Sequence, residues 1–208
     1  MIVIADYKCG NIGSVCNMLK KAGTNDVRIG SSQDDFKGAE GIILPGVGSF
    51  DIGIANLRDR GLEPVLNELV LAKKIPLLGI CLGMQLLLGE SEEGTKPGLG
   101  WISGKNIRFA LPLVSGLKVP HMGWNTVVPT IHSQMFAGQQ EGFGFYFVHS
   151  YYAQVDNPDD VAGYTEHGIT FTCALERENI WGVQFHPEKS HKHGLQLMRT
   201  FLKRCYNA

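Results

Sequence analysis

The sequence predicts an α/β fold: a single domain whose central, mostly parallel sheet is flanked by helices and joined to a smaller antiparallel region. Apolar, β-rich runs alternate with helical patterns in the first half, and short strands separated by glycines follow from Gly98. Continuously apolar strands are typical of a parallel sheet that helices cover on both faces. No repeat, low-complexity tract or linker divides the chain, so residues 1–208 are predicted to form one domain.

The first half contains three repeats of a strand followed by a helix. Strands are predicted over residues 2–5, 41–44 and 75–80, and helices over residues 12–22, 54–72 and 82–90. In the first helix, Ile12, Val15 and Leu19 recur with the helical period and lie on one face. Because crossovers between parallel strands are right-handed, the loops that follow the strands are expected along one edge of the sheet.

The second half has a different pattern, in which short strands alternate with glycine-containing turns. Strands are predicted over residues 102–109, 123–128, 143–152, 162–166, 169–176 and 180–185, and a last helix over residues 194–203. Short strands with close turns between them indicate antiparallel or mixed pairing. This part of the chain is therefore expected to form the antiparallel region.

Composition and charge narrow the classes of function. The 19 basic and 20 acidic residues give a net charge of -1, without the positive excess that binding to nucleic acid or an anionic membrane requires. The five cysteines form no C-x-x-C pair, so a reducing compartment is expected rather than a disulfide framework or zinc ribbon. Residues 1–6 do not resemble a signal peptide, and the apolar run 76–89 is too short to span a bilayer. We expect a soluble, cytoplasmic protein.

A candidate nucleophile lies in the segment Gly79-Ile80-Cys81-Leu82-Gly83, where a predicted strand ends and a helix begins. The spacing matches the G-x-nucleophile-x-G elbow, in which glycines on both sides permit a strained turn that exposes the thiol above the sheet. The positive end of the following helix would favour a thiolate. Taken alone, the segment fits a buried cysteine at a strand end equally well.

A glycine-rich loop, residues 45–50, follows the preceding predicted strand. If the two strands are neighbours, the backbone N–H groups of this loop can join that of Leu82 in binding a developing oxyanion. Glycine suits this role because the backbone must approach the substrate closely. Taken alone, the loop is more typical of an ordinary turn between a strand and a helix.

The candidate base is His186, at the end of the last predicted strand. Pro187 keeps the backbone extended, so His186 and Glu188 are expected on the same side, where the carboxylate can orient the imidazole. Cys81, His186 and Glu188 would then act as nucleophile, base and orienting residue in a catalytic triad. A lone histidine near a strand end is usually structural, but the carboxylate two residues further on favours the catalytic interpretation.

These segments resemble the class I, or triad, glutamine amidotransferases. The elbow and the His186-Pro187-Glu188 segment are shared across that class. Residues 120–125 and 187–190 are similar to the branch formed by the glutaminase subunits of imidazole glycerol phosphate synthases. The similar segments extend over nearly the whole chain and lie at residues 6–7, 10–11, 44–50, 79–87, 91–94, 98–100, 119–125 and 184–190.

The resemblance implies hydrolysis of glutamine to glutamate and ammonia. Cys81 would attack the side-chain amide, His186 would protonate the leaving ammonia and then activate water, and Glu188 would hold His186. The oxyanion would be bound by the backbone N–H groups of Val47 or Gly48 and of Leu82. Substrate contacts are implied for Gly48, Gln85, His149, Ser150 and Tyr151. No cofactor and no metal are implied.

The resemblance also implies a protein partner, a (β/α)8 cyclase that forms a heterodimer with this subunit and receives ammonia through its interior. The acceptor would be a ribulosyl aminoimidazole carboxamide intermediate, converted to imidazole glycerol phosphate and AICAR in histidine biosynthesis. Trp124 and Lys189 resemble residues at that subunit interface. A peptide flip in Gly46-Val47-Gly48 would complete the oxyanion hole only when the liganded barrel docks.

The sequence departs from the family pattern at Lys8 and Cys9, where a glycine usually follows the Asp-Tyr pair. Residues 10–19 look more like the branch that supplies ammonia for surface-sugar amidination, so that acceptor is the alternative. Two other interpretations are a cysteine hydrolase that acts without a partner and a non-catalytic subunit that only binds one. The first leaves the segments around Trp124 and Lys189 unexplained, and the second leaves the nucleophile without a role.

Overall fold

The computed structural model describes residues 1–111, 116–139 and 142–206. Its strands are β1 Ile2–Ala5, β2 Val27–Gly30, β3 Gly41–Gly46, β4 Leu77–Cys81, β5 Glu90–Ser91, β6 Gly104–Arg108, β7 His121–Thr126, β8 Val128–Pro129, β9 Gly144–His149, β10 Tyr151–Val155, β11 Val161–Glu166, β12 Thr170–Arg177 and β13 Ile180–Val183. Its helices are α1 Ile12–Ala22, α2 Phe50–Asp59, α3 Leu62–Leu66, α4 Leu82–Gln85 and α5 His191–Tyr206. A π-helical segment, Asn67–Ala72, continues α3.

The main sheet has the strand order β2-β1-β3-β4-β13-β12-β10-β6-β5, with β11 and β8 joined to it through β12. Pairing is parallel from β2 to β13 and antiparallel from β13 through β12 and β10 to β6. A separate antiparallel pair is formed by β7 and β9. The predicted α/β fold, with a mostly parallel sheet and a smaller antiparallel region, is confirmed.

Helices cover both faces of the parallel strands because those strands are apolar on both sides. Ile2 and Ile4 of β1 pack in one core cluster with residues of α1 and α5, whereas Val3 and Ala5 pack in the other with residues of α2 and α3. The alternation follows from the two-residue period of a strand. In α1, the Asn11 side chain accepts the Ser14 N–H at the first turn, and Gly23 ends the helix in a left-handed conformation.

Two helices differ from the prediction, one because it is broken and the other because it is shorter. The helix predicted over 54–72 begins at Phe50 and is broken between α2 and α3, where Gly61 has φ +64° and cannot continue a right-handed helix. The helix predicted over 82–90 ends at Gln85, because the carbonyls of Leu86 and Leu87 accept hydrogen bonds from residues 99–102 instead. The backbone leaves the helical conformation at these residues and continues into the short strand β5.

The strand predicted over 143–152 is two strands in different sheets, since β9 pairs with β7 and β10 pairs with β6. The short strand β2 was missed, and α5 extends beyond the predicted 194–203 at both ends. Within the described ranges, we find no helix with the length and apolar character needed to cross a membrane.

Candidate active site

The predicted site residues meet where the parallel strands end. β3 and β13 both pair with β4, with Gly46 opposite Cys81 on one side and Val183 opposite Ile80 on the other. The loop after β3, the cysteine that ends β4 and the histidine that follows β13 therefore lie at one edge of the sheet. This is the edge at which open α/β sheets bind ligands.

Cys81 has the backbone conformation of a nucleophile elbow, with φ +53° and ψ -108°. Such a conformation is strained for a residue with a side chain and persists only where the surroundings enforce it. The surroundings here require glycine on both sides. A Cβ at Gly83 would lie 1.7 Å from the Leu44 carbonyl oxygen, and one at Gly79 would lie 2.8 Å from that of Gly83. The helix that follows, α4, is a single turn, shorter than predicted.

His186 and Glu188 form a buried pair, with 2.8 Å between Nδ1 and Oε1 and side-chain exposures of 1% and 3%. The His186 N–H donates to the Tyr146 carbonyl at 2.9 Å, and the Ser190 hydroxyl donates to the His186 carbonyl at 2.6 Å, which fixes the turn. Burial by itself lowers the pKa of His186, but its contacts with Cys81 and Glu188 outweigh burial and raise the pKa to about 9. Among the described residues, His186 Nε2 has no hydrogen-bond partner and is available for proton transfer.

A cavity of about 320 Å³ adjoins these groups, within the range typical of small-molecule sites. It is lined by Cys81 and His186. It is also lined by every residue that was predicted to bind the oxyanion or contact the substrate, namely Val47, Gly48, Leu82, Gln85, His149, Ser150 and Tyr151. Glu93, Pro120 and Val148 also line the cavity and were not predicted as site residues. A larger groove of about 900 Å³ lies beside Trp181 and Arg204, and no predicted site residue borders it.

The loop that follows β3 is exposed at Val47, and Gly48 has φ +117°. The Glu93 carboxylate accepts the Phe50 N–H at 2.9 Å and so ties the start of α2 to the cavity wall. A Cβ at Gly46 would lie 2.5 Å from the Tyr7 hydroxyl oxygen. That hydroxyl is buried, and no hydrogen-bond partner for it is found in the described parts of the chain.

Gln184 is the main contact of the nucleophile that sequence reasoning missed. Its side chain is fully buried, and its Nε2 donates to Cys81 Sγ at 3.7 Å. Gln85 Nε2 donates to Gln184 Oε1 at 3.1 Å and to the Tyr151 carbonyl at 3.3 Å. The sequence does carry a sign of this role, because Gln184 is a polar residue at the end of an otherwise apolar strand, directly before Phe185 and His186.

Trp124 and Lys189, predicted to contact a partner, lie on one exposed patch outside the cavity. Trp124 is 53% exposed and stacks on His191, with 5.4 Å between ring centroids. The Lys189 ammonium lies 5.6 Å from the centre of the Tyr146 ring, which is edge-on to Trp124.

All five cysteines are free thiols and form no disulfide. No group of three or more His, Cys, Asp or Glu residues suited to a metal ion occurs in the parts of the chain that the structure describes.

Comparison with known proteins agrees with this geometry. The family model for glutamine amidotransferase class-I matches residues 3–205. The chain is 49% identical to imidazole glycerol phosphate synthase subunit HisH 2 of Pseudomonas aeruginosa, over 98% of this chain and 99% of that protein. It is 48% identical to the protein of the same name from Methanococcus maripaludis, over 99% and 100%.

Solved structures show the same fold at low sequence identity. A glutamine amidotransferase crystal structure superposes with a TM-score of 0.77 at 19% identity, over 99% of this chain and 100% of that chain. The glutaminase domain of Trypanosoma brucei CTPS with bound acivicin gives a TM-score of 0.66 at 15% identity, over 99% and 93%. The chain belongs to the class-I glutamine amidotransferase family, in the same group as the relatives named HisH.

Proposed function

We propose that this chain hydrolyses glutamine to glutamate and ammonia, as the glutaminase subunit of an imidazole glycerol phosphate synthase. One observation carries the proposal: the strained Cys81 and the buried His186–Glu188 pair meet at a cavity bordered by the Gly48 loop. Full-length relatives that carry the name of this subunit support it. The three side chains then serve as nucleophile, proton donor and acceptor, and orienting carboxylate.

In the first half of the reaction, the thiol proton of Cys81 passes to His186, the thiolate attacks the side-chain amide carbon of glutamine, and the carbonyl electron pair moves to oxygen. The N–H groups of Leu82 and of Val47 or Gly48 stabilise the oxyanion. When the oxyanion collapses, the C–N bond breaks and the nitrogen takes a proton from His186. The raised pKa of His186, about 9, keeps this proton on the imidazole at neutral pH.

In the second half, the now neutral His186 accepts a proton from water, and the hydroxide attacks the thioester. Collapse of the second tetrahedral intermediate breaks the C–S bond, releases glutamate and restores the starting state. Glu188 holds Nδ1 throughout, so that Nε2 remains directed at the reacting atoms. One imidazole therefore first donates and then accepts the proton, and these steps use no metal or cofactor.

The cavity also offers groups suited to the charged end of glutamine. Glu93 places a carboxylate on the wall, which can bind the α-ammonium group. The His149-Ser150-Tyr151 segment lines the wall as well and supplies backbone groups for the α-carboxylate. Gln85 also lines the wall, but both of its Nε2 hydrogens are already donated, so it offers only Oε1 as an acceptor. This arrangement predicts selectivity for a free amino acid over a peptide, because a peptide lacks one or both charges.

The partner that we propose is a (β/α)8 cyclase, which binds the patch formed by Trp124, Tyr146, Lys189 and His191 and receives the ammonia. Exposed aromatic side chains next to a cation are typical of residues that dominate protein interfaces. The proposed acceptor is the histidine-pathway intermediate, with imidazole glycerol phosphate and AICAR as products. A surface-sugar acceptor is the second candidate, because residues 10–19 look more like the branch that serves surface-sugar amidination.

The test replaces the nucleophile and separates the two half-reactions. Cys81→Ala should abolish glutamate release from glutamine by the complex, while synthesis with added ammonium salts continues. Cys16→Ala, which removes a half-buried thiol in α1, is the matched control and should retain both activities. Equal loss of both activities in Cys81→Ala would contradict the nucleophile assignment and indicate a structural cysteine.

A second experiment identifies the acceptor. The wild-type complex is supplied with glutamine labelled with ¹⁵N at the side-chain amide, together with either the histidine-pathway intermediate or a candidate sugar substrate. Mass spectrometry then shows which product gains the label. Label in the imidazole product supports the proposed acceptor, and label only in the sugar product supports the second candidate.

A further inference from the structure

Two histidines whose side chains take part in no chemical step form a buried pair, and one of them, His149, lines the cavity. His121 of β7 lies directly opposite His149 of β9, with 3.0 Å between His121 Nδ1 and His149 Nε2. We propose that His121 and His149 are positioning residues: as a neutral pair they fix the Tyr151 carbonyl and, through it and Gln85, the side chain of Gln184 that contacts the nucleophile. This inference rests on the proposed function for its meaning, because the nucleophile concerned is Cys81.

One end of the pair fixes the proton on His149. Its Nδ1 lies 2.7 Å from the Tyr151 carbonyl oxygen, which can only accept, so Nδ1 carries the proton. In a neutral imidazole the other nitrogen is then an acceptor, and His149 Nε2 must receive its hydrogen from His121 Nδ1. His121 is therefore also protonated at Nδ1, and its Nε2 must accept.

The other end of the pair requires the same arrangement independently. The Asn125 amide is oriented by the backbone, because Oδ1 accepts the Thr126 N–H at 2.8 Å and Nδ2 donates to the Glu166 carbonyl at 2.6 Å. Nδ2 thus presents its second hydrogen to His121 Nε2, at 3.2 Å. Both ends agree on one tautomer for both rings, so the pair has one hydrogen-bonded state rather than two.

The Tyr151 carbonyl joins this pair to the nucleophile. It accepts from His149 Nδ1 and from Gln85 Nε2, which uses both of its lone pairs. The second hydrogen of Gln85 Nε2 goes to Gln184 Oε1, and Gln184 Nε2 donates to Cys81 Sγ. A continuous set of hydrogen bonds therefore connects Asn125 on β7 to the sulfur atom of Cys81.

The surroundings keep the pair neutral and hold its rings in place. The His121 ring stacks on Phe147 at 4.8 Å and on His167 at 4.3 Å, and Phe109 packs against both members of the pair. Burial lowers the pKa of His149 to about 3 and that of His121 to about 4, and the other histidines act in the same direction. Both rings therefore stay neutral at neutral pH, with one proton each.

Strand β7 carries one member of the pair, His121, and one residue of the exposed patch, Trp124. In β7, Trp124 points outward next to Asn125, whose amide begins the set of hydrogen bonds. A shift of β7 on partner binding would displace Asn125 and His121 relative to β9. The pair thus offers a physical route by which docking at Trp124 changes the contacts of Cys81.

The test compares two replacements of His121 that differ in one hydrogen-bond donor. His121→Leu removes the donor to His149 Nε2, whereas His121→Asn places an amide N–H near the position of Nδ1. We expect glutamine hydrolysis by the complex to fall about tenfold in kcat for His121→Leu and to recover to within about threefold for His121→Asn. His132→Leu, which removes an exposed histidine in the turn after β8, is the control and should stay within about twofold of wild type.

Coupling to the nucleophile is tested in a double-mutant cycle with Gln184→Met. If the pair acts through Gln184, the penalty of His121→Leu should shrink to less than about twofold in the Gln184→Met background. A penalty of the same size in both backgrounds would overturn the proposed route. Equal activity of His121→Leu and His121→Asn would overturn the role of the donated hydrogen.

Two further readouts do not depend on glutamine being the substrate. Long-range ¹H–¹⁵N NMR of wild type between pH 6 and 8 should show both rings neutral and protonated at Nδ1, and an Nε2–H or doubly protonated signal would overturn the proposal. Alkylation of Cys81 by iodoacetamide, followed by peptide mass spectrometry, should change at least about threefold in His121→Leu but not in His121→Asn. A wild-type complex that releases no glutamate yet passes both readouts would contradict the proposed function alone.

Discussion

Acid should destabilise the fold through His121, and replacing this residue should remove that part of the pH dependence. Burial, followed by the nearby His167, lowers the pKa of His121 from 6.5 to about 4. Because the folded-state pKa is depressed, the unfolded chain binds the proton more readily. Stability is therefore complete above the unfolded value and is lost as the pH falls from about 6.5 towards 4.

The two pKa values set the size of the effect. The pKa of His121 is 6.5 in the unfolded chain and about 4 in the folded protein. Because the unfolded chain binds the proton more readily, the unfolding free energy falls by about 2 kcal/mol at pH 5 and by almost nothing at pH 8. His149 adds a loss of the same sign, and His186 opposes it, since its raised pKa stabilises the fold below about 9. Both remain in His121→Asn, so they cancel when the variant is compared with wild type.

The measurement is urea unfolding of wild type and His121→Asn at pH 8, 7, 6 and 5, followed by tryptophan fluorescence. The advantage of wild type over His121→Asn should shrink by about 2 kcal/mol between pH 8 and pH 5. Phe136→Leu, a buried change without a titrating group, is the control and should cost the same at every pH. A pH-independent difference for His121→Asn would refute the claim that the fold holds this ring neutral.

Three other substitutions test separate parts of the site. Gly83→Ala should lower the unfolding free energy by more than about 3 kcal/mol, because its Cβ would lie 1.7 Å from the Leu44 carbonyl oxygen, and an unchanged Tm would contradict this. Gly48→Ala meets no atom within 4 Å but has φ +117°, so it should cost about 1 kcal/mol in stability and at least tenfold in glutamine hydrolysis; unchanged hydrolysis would argue against the oxyanion role. Tyr7→Phe removes a buried hydroxyl with no partner among the described residues, so chemical unfolding should show unchanged or higher stability, by up to about 1 kcal/mol, and a clear loss would mean that the hydroxyl is paired.

The parallel half of the fold could be predicted because its signals are local. Each buried strand is a continuous apolar run, and the α1 boundaries follow from Asn11 at its start and Gly23 at its end. The elbow could be predicted for the same reason, since the glycines around Cys81 are required by contacts within a few residues and with the neighbouring strand. Loops at the end of adjacent parallel strands then lie together without further information.

The errors occurred where a distant segment decides the local structure. Residues 82–90 have a helical pattern, but residues 99–102 take up the carbonyls that would continue α4. Residues 143–152 have a continuous β pattern, but their two halves pair with strands in different sheets. Neither competition can be detected from local periodicity, because the competing partner is distant in the sequence.

The far wall of the cavity depends on this same non-local pairing. His121 and His149 are separated by 28 residues, and only the register of β7 against β9 places them opposite each other. A register shift of one residue would turn His121 towards the solvent-facing side now occupied by Met122. The hydrogen bonds from Asn125 to Cys81 therefore exist in one register only. The pair of strands β7 and β9 thus exposes Trp124 on one side. On its other side it holds the His121–His149 pair, which orients the contacts of Cys81.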